Sequence, residues 1–515
     1  MSVTESAERL FEEIAQHKRL FYQSGFVVEL VDEESGPVIN IIDAAAAVSR
    51  FERYVNFAKP RRGDVLQLDR TTITESTAKI YLKSEAAREL LPKLKGISNC
   101  PMIYEVNGQL HQTEQGYNEQ LGLYVTAPDV ETDFPIADAV GLLADTLNNF
   151  NFLAPGDRSR AIASYLTPAL KLGGFIRERV PIEVAEANAS QSGKTYRQKM
   201  VAAIYNQKLA VVTKKAGGVG SMEETFADHM VKGRAFIQFD NMRGKLESQM
   251  FESCLTSDGV FTARVPYHGS MPVDPSRFMI YITSNGFEAT KDLLNRASFV
   301  RIQKRESSCL FPNYGGLDLL GYMRSIQPLL IGAVFRVIDE WHGRGKPRTD
   351  ETRHDFREWC QILDWIVQNI FHEAPLMDGH DGAKQRAANP SLSFLRTLSL
   401  ALAGRRALGQ ALTAANISQM CLEDSIAIPG VNSEDQTGEQ APMQIGRTMR
   451  PFFSEGDTVT FDEFRVERRS EQRTSTDGNS FDSFSYVFEL TTPPEPALSS
   501  PPDSLPPCPI RPSTP

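Results

Sequence analysis

Residues 181–195 read PIEVAEANASQSGKT, and what this stretch is decides the fold. Val180–Ala187 is a mostly apolar run with strand character. A short polar loop follows, and Gly193, Lys194 and Thr195 open a helical pattern. A phosphate-binding loop needs this order: a strand to deliver the chain, a tight loop whose N–H groups point inward, and a helix N-terminus behind it. Gly193 lets the backbone approach phosphate, Lys194 supplies a point charge, and Thr195 offers a hydroxyl to Mg2+. The usual pattern, G-x-x-x-x-G-K-[ST], has Gly where this chain has Asn188. Asn is among the few residues that tolerate left-handed backbone, so the loop can survive the exchange. The expected nucleotide-binding set is Asn188, Ser190, Gln191, Ser192, Gly193, Lys194 and Thr195, with ATP as ligand and Mg2+ as its ion. A chance match at a helix start is the competing reading.

Three further stretches bear on that choice. Residues 234–241 read RAFIQFDN, an apolar strand ending in Asp240. A carboxylate there would hold Mg2+ through water, so Thr195 and Asp240 form the expected metal pair. The plainer reading of Asp240 is a helix cap. Residues 278–285 read FMIYITSN. An apolar strand ending in the amide of Asn285 resembles the sensor position of AAA+ and superfamily III ATPases, where an amide orients the attacking water. Residues 292–301 read DLLNRASFVR and place Arg296 where an arginine often reaches a neighbouring subunit's γ-phosphate. The expected catalytic set is therefore Lys194, Asp240, Asn285 and Arg296. Asn241 stands where a carboxylate normally follows the metal-binding Asp. Asn cannot act as a base, so Glu186 or Glu247 would have to substitute.

Residues 180–301 resemble the ATPase modules of phage- and mobile-element-encoded primase-helicases, within the AAA+ and superfamily III-like ATPases. The likeness rests on Phe239-Asp240-Asn241 followed by a helix and Leu255-Thr256, on the segment around Arg264, on Thr283-Ser284-Asn285-Gly286, and on Asp292 through Arg296. An Asp-Asn pair at this position occurs in that family. The likeness extends upstream through Cys100–His111 and Gln115–Asn118, and downstream through Phe356–Trp359 to a final winged helix. It implies an ATP-driven motor on DNA, built as a homo-oligomer of hexamer size. ATP would sit at subunit interfaces, with Lys194, Thr195 and Asp240 in cis and Arg296 in trans. No set of metal-binding acids is arranged for polymerisation, so priming is not expected. The alternative is a nucleotide-dependent assembly switch with little hydrolysis. A small-molecule kinase is a third reading, in which Asn285 and Arg296 have no evident purpose.

Two segments are candidate DNA contacts, with single- or double-stranded DNA as partner. Ser257–Pro272 reads as a hairpin carrying Arg264, Tyr267 and His268. Superfamily III helicases carry a DNA-engaging hairpin at this point, and a cation beside an aromatic suits single strands. The alternative is an ordinary surface hairpin. Within residues 442–490, a helix Met443–Phe452 with Arg447 and Arg450 precedes a hairpin with Arg465, Arg468, Arg469 and Arg473. A helix plus basic wing suits phosphate contact. Glu463, Glu467 and Glu471 balance those charges, which is the plainer reading.

The 515 residues exceed one core and call for two to four domains. We expect an α/β P-loop NTPase core (a parallel sheet with flanking helices), an α+β N-terminal region, a helical region and a winged-helix-like C-terminal region. The boundaries fall at 1–130, 131–178 (helical connector), 179–305 (core), 306–405, 406–490 and 491–515, the last a Pro-rich tail read as disordered. The net charge of −10 argues against coating DNA by bulk electrostatics, so any contact must come from local basic patches or from a ring that concentrates them, and on charge alone a soluble acidic enzyme is the plainer reading. The six cysteines show no C-x-x-C pair, which argues against a zinc ribbon or disulfide framework. The N-terminus lacks a secretory signal and no apolar run spans a bilayer, so a cytoplasmic protein without membrane contact is expected. Local patterns predict a helix over Ala7–Tyr22, strands over Val27–Val31 and Val38–Ile42, a hairpin turning at Asn107-Gly108, and helices over 136–152 and 157–172 with Asp157 as a cap. They also predict strands over Leu209–Thr213, Ala235–Phe239, Phe278–Thr283 and Phe299–Ile302. Residues 315–402 read as helical with three buried tryptophans. Two strands, Thr458–Val466 and Phe484–Leu490, are joined by a loop over Ser470–Ser480.

Overall fold

The computed structural model describes residues 2–34, 36–61, 67–187, 192–213, 221–246, 249–256, 260–265, 269–305, 312, 314–388, 390–424, 426, 428–429, 440–454, 456–461, 463–474 and 480–491. The chain divides into two compact units, residues 1–393 and 394–515.

A six-stranded sheet organises the first unit. In chain order its parts are β1 (Asn151–Phe152), α1 (Pro155–Leu172), β2 (Ile182–Ala187), α2 (Lys194–Ile204), β3 (Ala210–Val212), α3 (Met222–Val231), β4 (Phe236–Leu246), α4 (Gln249–Thr256), β5 (Phe261–Val265), β6 (Gly269–Val273), β7 (Met279–Ala289), α5 (Lys291–Asn295) and β8 (Ala297–Gln303). The spatial order is β1-β8-β2-β7-β4-β3, with β5 and β6 paired as a separate antiparallel hairpin. All neighbours in the large sheet run parallel except β1, which pairs antiparallel with β8 at the edge.

The strands are mostly apolar on both faces because both faces are covered. Along β7, Met279 and Tyr281 pack with Ile162 and Tyr165 of α1 and Met200 and Val201 of α2. The alternate residues, Ile280 and Ile282, pack with Phe226 and Met230 of α3 and Phe251 of α4. The sheet is thus the middle layer of a helix–sheet–helix stack. From β2 the chain passes through α2 to β3 at the far edge, returns through β4 and β7, and crosses to β8 on the other side of β2. That reversal makes the carboxyl end of β2 the switch point of the sheet, the place where open α/β sheets bind ligands.

A buried ionic cluster fastens α1 to this sheet. Asp157 accepts from Arg160 Nη2 at 2.8 Å and from the backbone N–H and guanidinium of Arg301 on β8. Arg160 also donates to the carbonyls of Phe299, Leu376 and Asp378. The expected cap role of Asp157 is corrected here. Pro155 takes the first helical position, which suits its missing N–H. The cap is therefore Ala154, and Asp157, three residues on, accepts from the Ala154 N–H at 3.1 Å. Gly156 lets the turn at Asp378 approach, since a Cβ there would lie 2.3 Å from the Asp378 carbonyl oxygen. Gly156→Ala is expected to lower stability by about 1–3 kcal/mol through overpacking, read as a drop in the urea midpoint at unchanged slope.

Three other expectations need correction. The first helix is Val3–His17, not Ala7–Tyr22: Lys18 adopts a left-handed conformation (φ 47°) that ends it, and Leu20–Gln23 pairs as a strand with Phe26–Glu33. The helix over 136–152 stops at Asp145, since Asn151 and Phe152 are drawn into β1 by β8. The expected strand Thr458–Val466 is two strands, Thr458–Phe461 and Phe464–Thr474, and the second extends into the segment read as a loop. The remaining local expectations fare better. Strands Phe26–Glu33 and Gly36–Ile41 pair, and Asn107 and Gly108 turn a hairpin at φ 51° and 82°. Among the tryptophans, Trp341 and Trp359 are buried and Trp365 is half-buried.

The second unit begins within the helix Pro390–Gly404 and holds a strand Ala411–Thr413, helices Ala414–Glu423 and Gln440–Met449, and strands Thr458–Phe461, Phe464–Thr474 and Ser480–Leu490. Its four strands form one antiparallel sheet. Among the described residues of the chain, no helix is long and apolar enough to cross a membrane.

Candidate functional site

The residues with chemistry gather at the carboxyl end of β2. β2 delivers the chain to the loop, and Gly193 (φ 93°) caps α2 with no side-chain hydrogen bond to its first N–H groups. A helix that begins this way leaves donors and a partial positive charge for an anion. A Cβ at Gly193 would lie 3.0 Å from the Phe150 ring, so both backbone angle and space demand glycine. Ser192 Oγ is buried and has no hydrogen-bond partner among the described residues, an orphan acceptor and donor that a phosphate would satisfy. Asn188, Ser190 and Gln191 lie outside the described residues.

Lys194 is the first helical residue. Burial pulls its ammonium down to about 8, opposed by the carboxylates of Glu186 and Asp240. Glu186 is 5% exposed, and its Oε1 accepts from the Phe287 N–H on β7 at 3.2 Å. The buried Glu186 thus stands as a counter-charge to Lys194. Glu247 lies outside the described residues.

Thr195 and Asp240 meet directly. Thr195 Oγ1 donates to Asp240 Oδ1 at 3.1 Å, and Thr283 Oγ1 donates to the same oxygen at 2.7 Å. Thr283 Oγ1 in turn accepts from the Asn241 N–H at 2.7 Å, and Ser284 Oγ donates to the Met242 carbonyl at 2.7 Å. These contacts hold a register break in β4 just past Asp240, where Asn241 takes a left-handed conformation (φ 51°). That backbone angle favours Asn over a larger acid and gives a physical reason for Asn241. A carboxylate beside a hydroxyl is a hard-oxygen donor set that fits Mg2+, which keeps several waters and binds through one or two carboxylates plus phosphate. No group of three or more His, Cys, Asp or Glu among the described residues forms a metal cage of its own.

A second polar layer fixes α2 from behind. Arg197, fully buried, pairs with Glu183 of β2 and donates to Ser164 Oγ of α1 at 3.0 Å. Gln198 Nε2 donates to Glu183 Oε1 and to the Ile282 carbonyl of β7, and Gln238 Nε2 of β4 donates to Gln198 Oε1. Glu183, Arg197, Gln198 and Gln238 thus tie α2 to β2, β7 and β4, and so set Lys194 and Thr195 against Asp240. Sequence reading missed this layer and Thr283. The trace of Thr283 in the sequence is a hydroxyl at the end of an apolar run two residues before Asn285, which does not by itself single it out.

The other expected site residues are placed as follows. Asn285 lies on β7 beyond Thr283, with its side chain outside what is described. Arg296 does not join the Lys194–Thr195–Asp240 group. Its Nη1 donates to the Leu255 carbonyl at the end of α4 at 2.9 Å, and its Nη2 pairs with Asp292 at 3.3 Å. Arg264 lies on β5 with its side chain undescribed, and Tyr267 and His268 are outside the described residues. In the second unit Arg447 and Arg450 are exposed on and just after the helix Gln440–Met449. Arg468 pairs with Asp457 and lies over the rings of Phe453 and Phe484, and Arg469 pairs with Glu467. Burial pushes the thiols of Cys100, Cys254 and Cys421 up to about 12, which makes them inert as nucleophiles.

No protein-family model matches the chain, and no curated protein sequence matches it. Among solved structures, one titled "SCCmec type IV Cch - active helicase" is similar at TM-score 0.31 and 11% identity, over 92% of this chain and 97% of that one. A likeness at this level identifies neither a family nor an activity.

Proposed function

We propose that the chain binds and hydrolyses ATP as an oligomeric motor acting on DNA, in the manner of mobile-element replicative helicases. The observation that supports this most is the meeting of Thr195 with Asp240, beside Lys194, at the switch point of a parallel sheet. In this reading Asn188, Ser190, Gln191, Ser192 and Gly193 cradle the phosphates and Lys194 pairs with the β and γ groups. Thr195 and Asp240 would hold Mg2+, which neutralises phosphate charge when bound. Asn285 orients the attacking water. Arg296 serves a neighbouring subunit of a homo-oligomer, a hexamer in this reading, after leaving the Leu255 carbonyl. The β5–β6 hairpin, with Arg264, Tyr267 and His268, contacts single-stranded DNA. The second unit acts as a winged helix, with Arg447 and Arg450 on phosphate. The protein works in the cytoplasm.

One observation favours a second reading, a nucleotide-dependent assembly switch. Asn241, not a carboxylate, follows Asp240, and Glu186 is buried. ATP hydrolysis measured with and without single-stranded DNA separates the two. Turnover that rises several-fold with DNA is the expected result. ATP binding with no turnover in either condition would sink the motor and leave the switch, and phosphate appearing on a small acceptor would support a kinase.

A further inference from the structure

Asp240 is not held by the phosphate helix alone. The strand that supplies its second partner is β7, which lies between β2 and β4 and belongs to neither the loop nor the acid. We propose that Thr283 is a positioning residue for Mg2+, its hydroxyl fixing the Asp240 carboxylate in the orientation that receives the ion. This rests on the reading of the site as an ATP–Mg2+ site.

The geometry carries the inference in three steps. Of the two hydroxyls on Asp240 Oδ1, that of Thr283 is the closer, at 2.7 Å against 3.1 Å for Thr195. Thr283 is 1% exposed, so water does not compete for this bond. Its oxygen also accepts the Asn241 N–H, and an oxygen that accepts one bond while donating another strengthens both. One hydroxyl thus fixes the acid and the bend that follows it. Thr195 has a different part to play. To coordinate an ion it must turn a lone pair outward, which leaves its hold on Asp240 dependent on where the ion sits. Thr283 has no such second duty, and it keeps Asp240 in place before and after the ion arrives. β-branching suits Thr283 to a buried strand, and the hydroxyl is what distinguishes it there from Val.

Partners of metal-binding groups set metal affinity, and losing one costs about 10–100-fold. The test uses Mn2+ as a spectroscopic stand-in for Mg2+ in the full chain. ATP affinity is measured in chelator, and the Mn2+ midpoint in the presence of ATP is read by electron paramagnetic resonance. Thr283→Val is expected to leave metal-free ATP affinity within about twofold and to raise the Mn2+ midpoint about 10–100-fold. Thr283→Ser is expected to restore the wild-type midpoint to within about threefold, because it returns the hydroxyl. Should Thr283→Val not fold, Thr283→Ala carries the same expectation. A Thr283→Val midpoint equal to that of the wild type overturns the inference and leaves the site reading intact. A rise equal in Thr283→Ser also overturns it, since packing rather than the hydroxyl would be responsible. Wild-type protein that binds neither ATP nor Mn2+ with ATP overturns the site reading itself.

Discussion

Lys194→Ala is expected to remove about 3 kcal/mol of ATP binding, roughly a hundredfold in affinity, while the protein stays folded. The side chain extends from the first residue of α2 and is half-buried. Its energetic role is electrostatic. Burial pulls the ammonium down to about 8, and Glu186 and Asp240 only partly oppose this. A polyphosphate beside Lys194 would favour its charged form. Binding should then be linked to a proton. Below about pH 8 the site is already charged, and above it the ligand must bring a proton with it. ATP affinity is expected to fall as pH rises from about 8, by as much as about tenfold per unit. Lys194→Arg, whose guanidinium stays charged, should show no such fall. The sign for folding is opposite. The folded pKa lies below the unfolded one, so the unfolded chain binds more protons between them, and stability without nucleotide rises with pH across that window. Calorimetric titrations in buffers of different ionisation enthalpy would count the proton. An affinity flat across this range, or equal in wild type and Lys194→Ala, would mean that Lys194 does not face the phosphates.

The sheet was legible because its strands are covered on both faces and so read as mostly apolar runs, broken only by buried polar residues such as Glu183, Glu186 and Gln238. Ile182–Ala187, Phe236–Phe239 and Met279–Thr283 needed no other signal. Their continuations were not legible. β4 and β7 run on to Leu246 and Ala289 through residues as polar as Asn241, Arg243 and Asn285, and what keeps them extended is pairing with each other. Lys18 shows a related limit. The apolar spacing across Leu20, Phe21 and Tyr22 continues a helical pattern, yet a left-handed Lys18 and a partner strand end it. At the candidate site, the placing of Lys194 and Thr195 after β2 and of Asp240 towards the end of an apolar run was legible from the order of strand, loop and helix, and Thr195 meets Asp240. Thr283 was not, since a hydroxyl at a strand end has many ordinary uses. The behaviour of Arg296 was not legible either, because its partner is a backbone carbonyl, and no side-chain pattern marks which carbonyl a helix end exposes. The buried arginines were least legible of all. Arg160, Arg197 and Arg301 sit where composition alone would put a surface charge.

Those arginines underlie the second large effect. Asp157→Asn is expected to cost about 3–5 kcal/mol, the range for removing one member of a buried ion cluster. Asp157 and Arg160 have side chains with no exposed surface, and Arg301 has 5%. One carboxylate thus answers two guanidiniums out of reach of water. Burial pulls Arg160 below its usual pKa, and Asp157 is the group that most opposes the pull. With Asn in its place the shape and some hydrogen bonds survive, but both cations lose the charge of Asp157. The loss falls on a joint that matters for the site. Through Arg301 the acid holds α1 to β8, and through Arg160 it holds the turn at Leu376–Asp378 to Phe299. β8 in turn is the immediate neighbour of β2. Since domains are stable by only about 5–15 kcal/mol, Asp157→Asn should shift the urea midpoint strongly and sharpen salt sensitivity. Asp157→Ala, which also removes the hydrogen bonds, should cost more than Asp157→Asn by the share those bonds carry. If Asp157→Asn moved stability by less than about 0.5 kcal/mol, the ionic cluster would be incidental. The apolar packing of Ala161, Ile162, Tyr165 and Leu166 would then be what attaches α1 to the sheet.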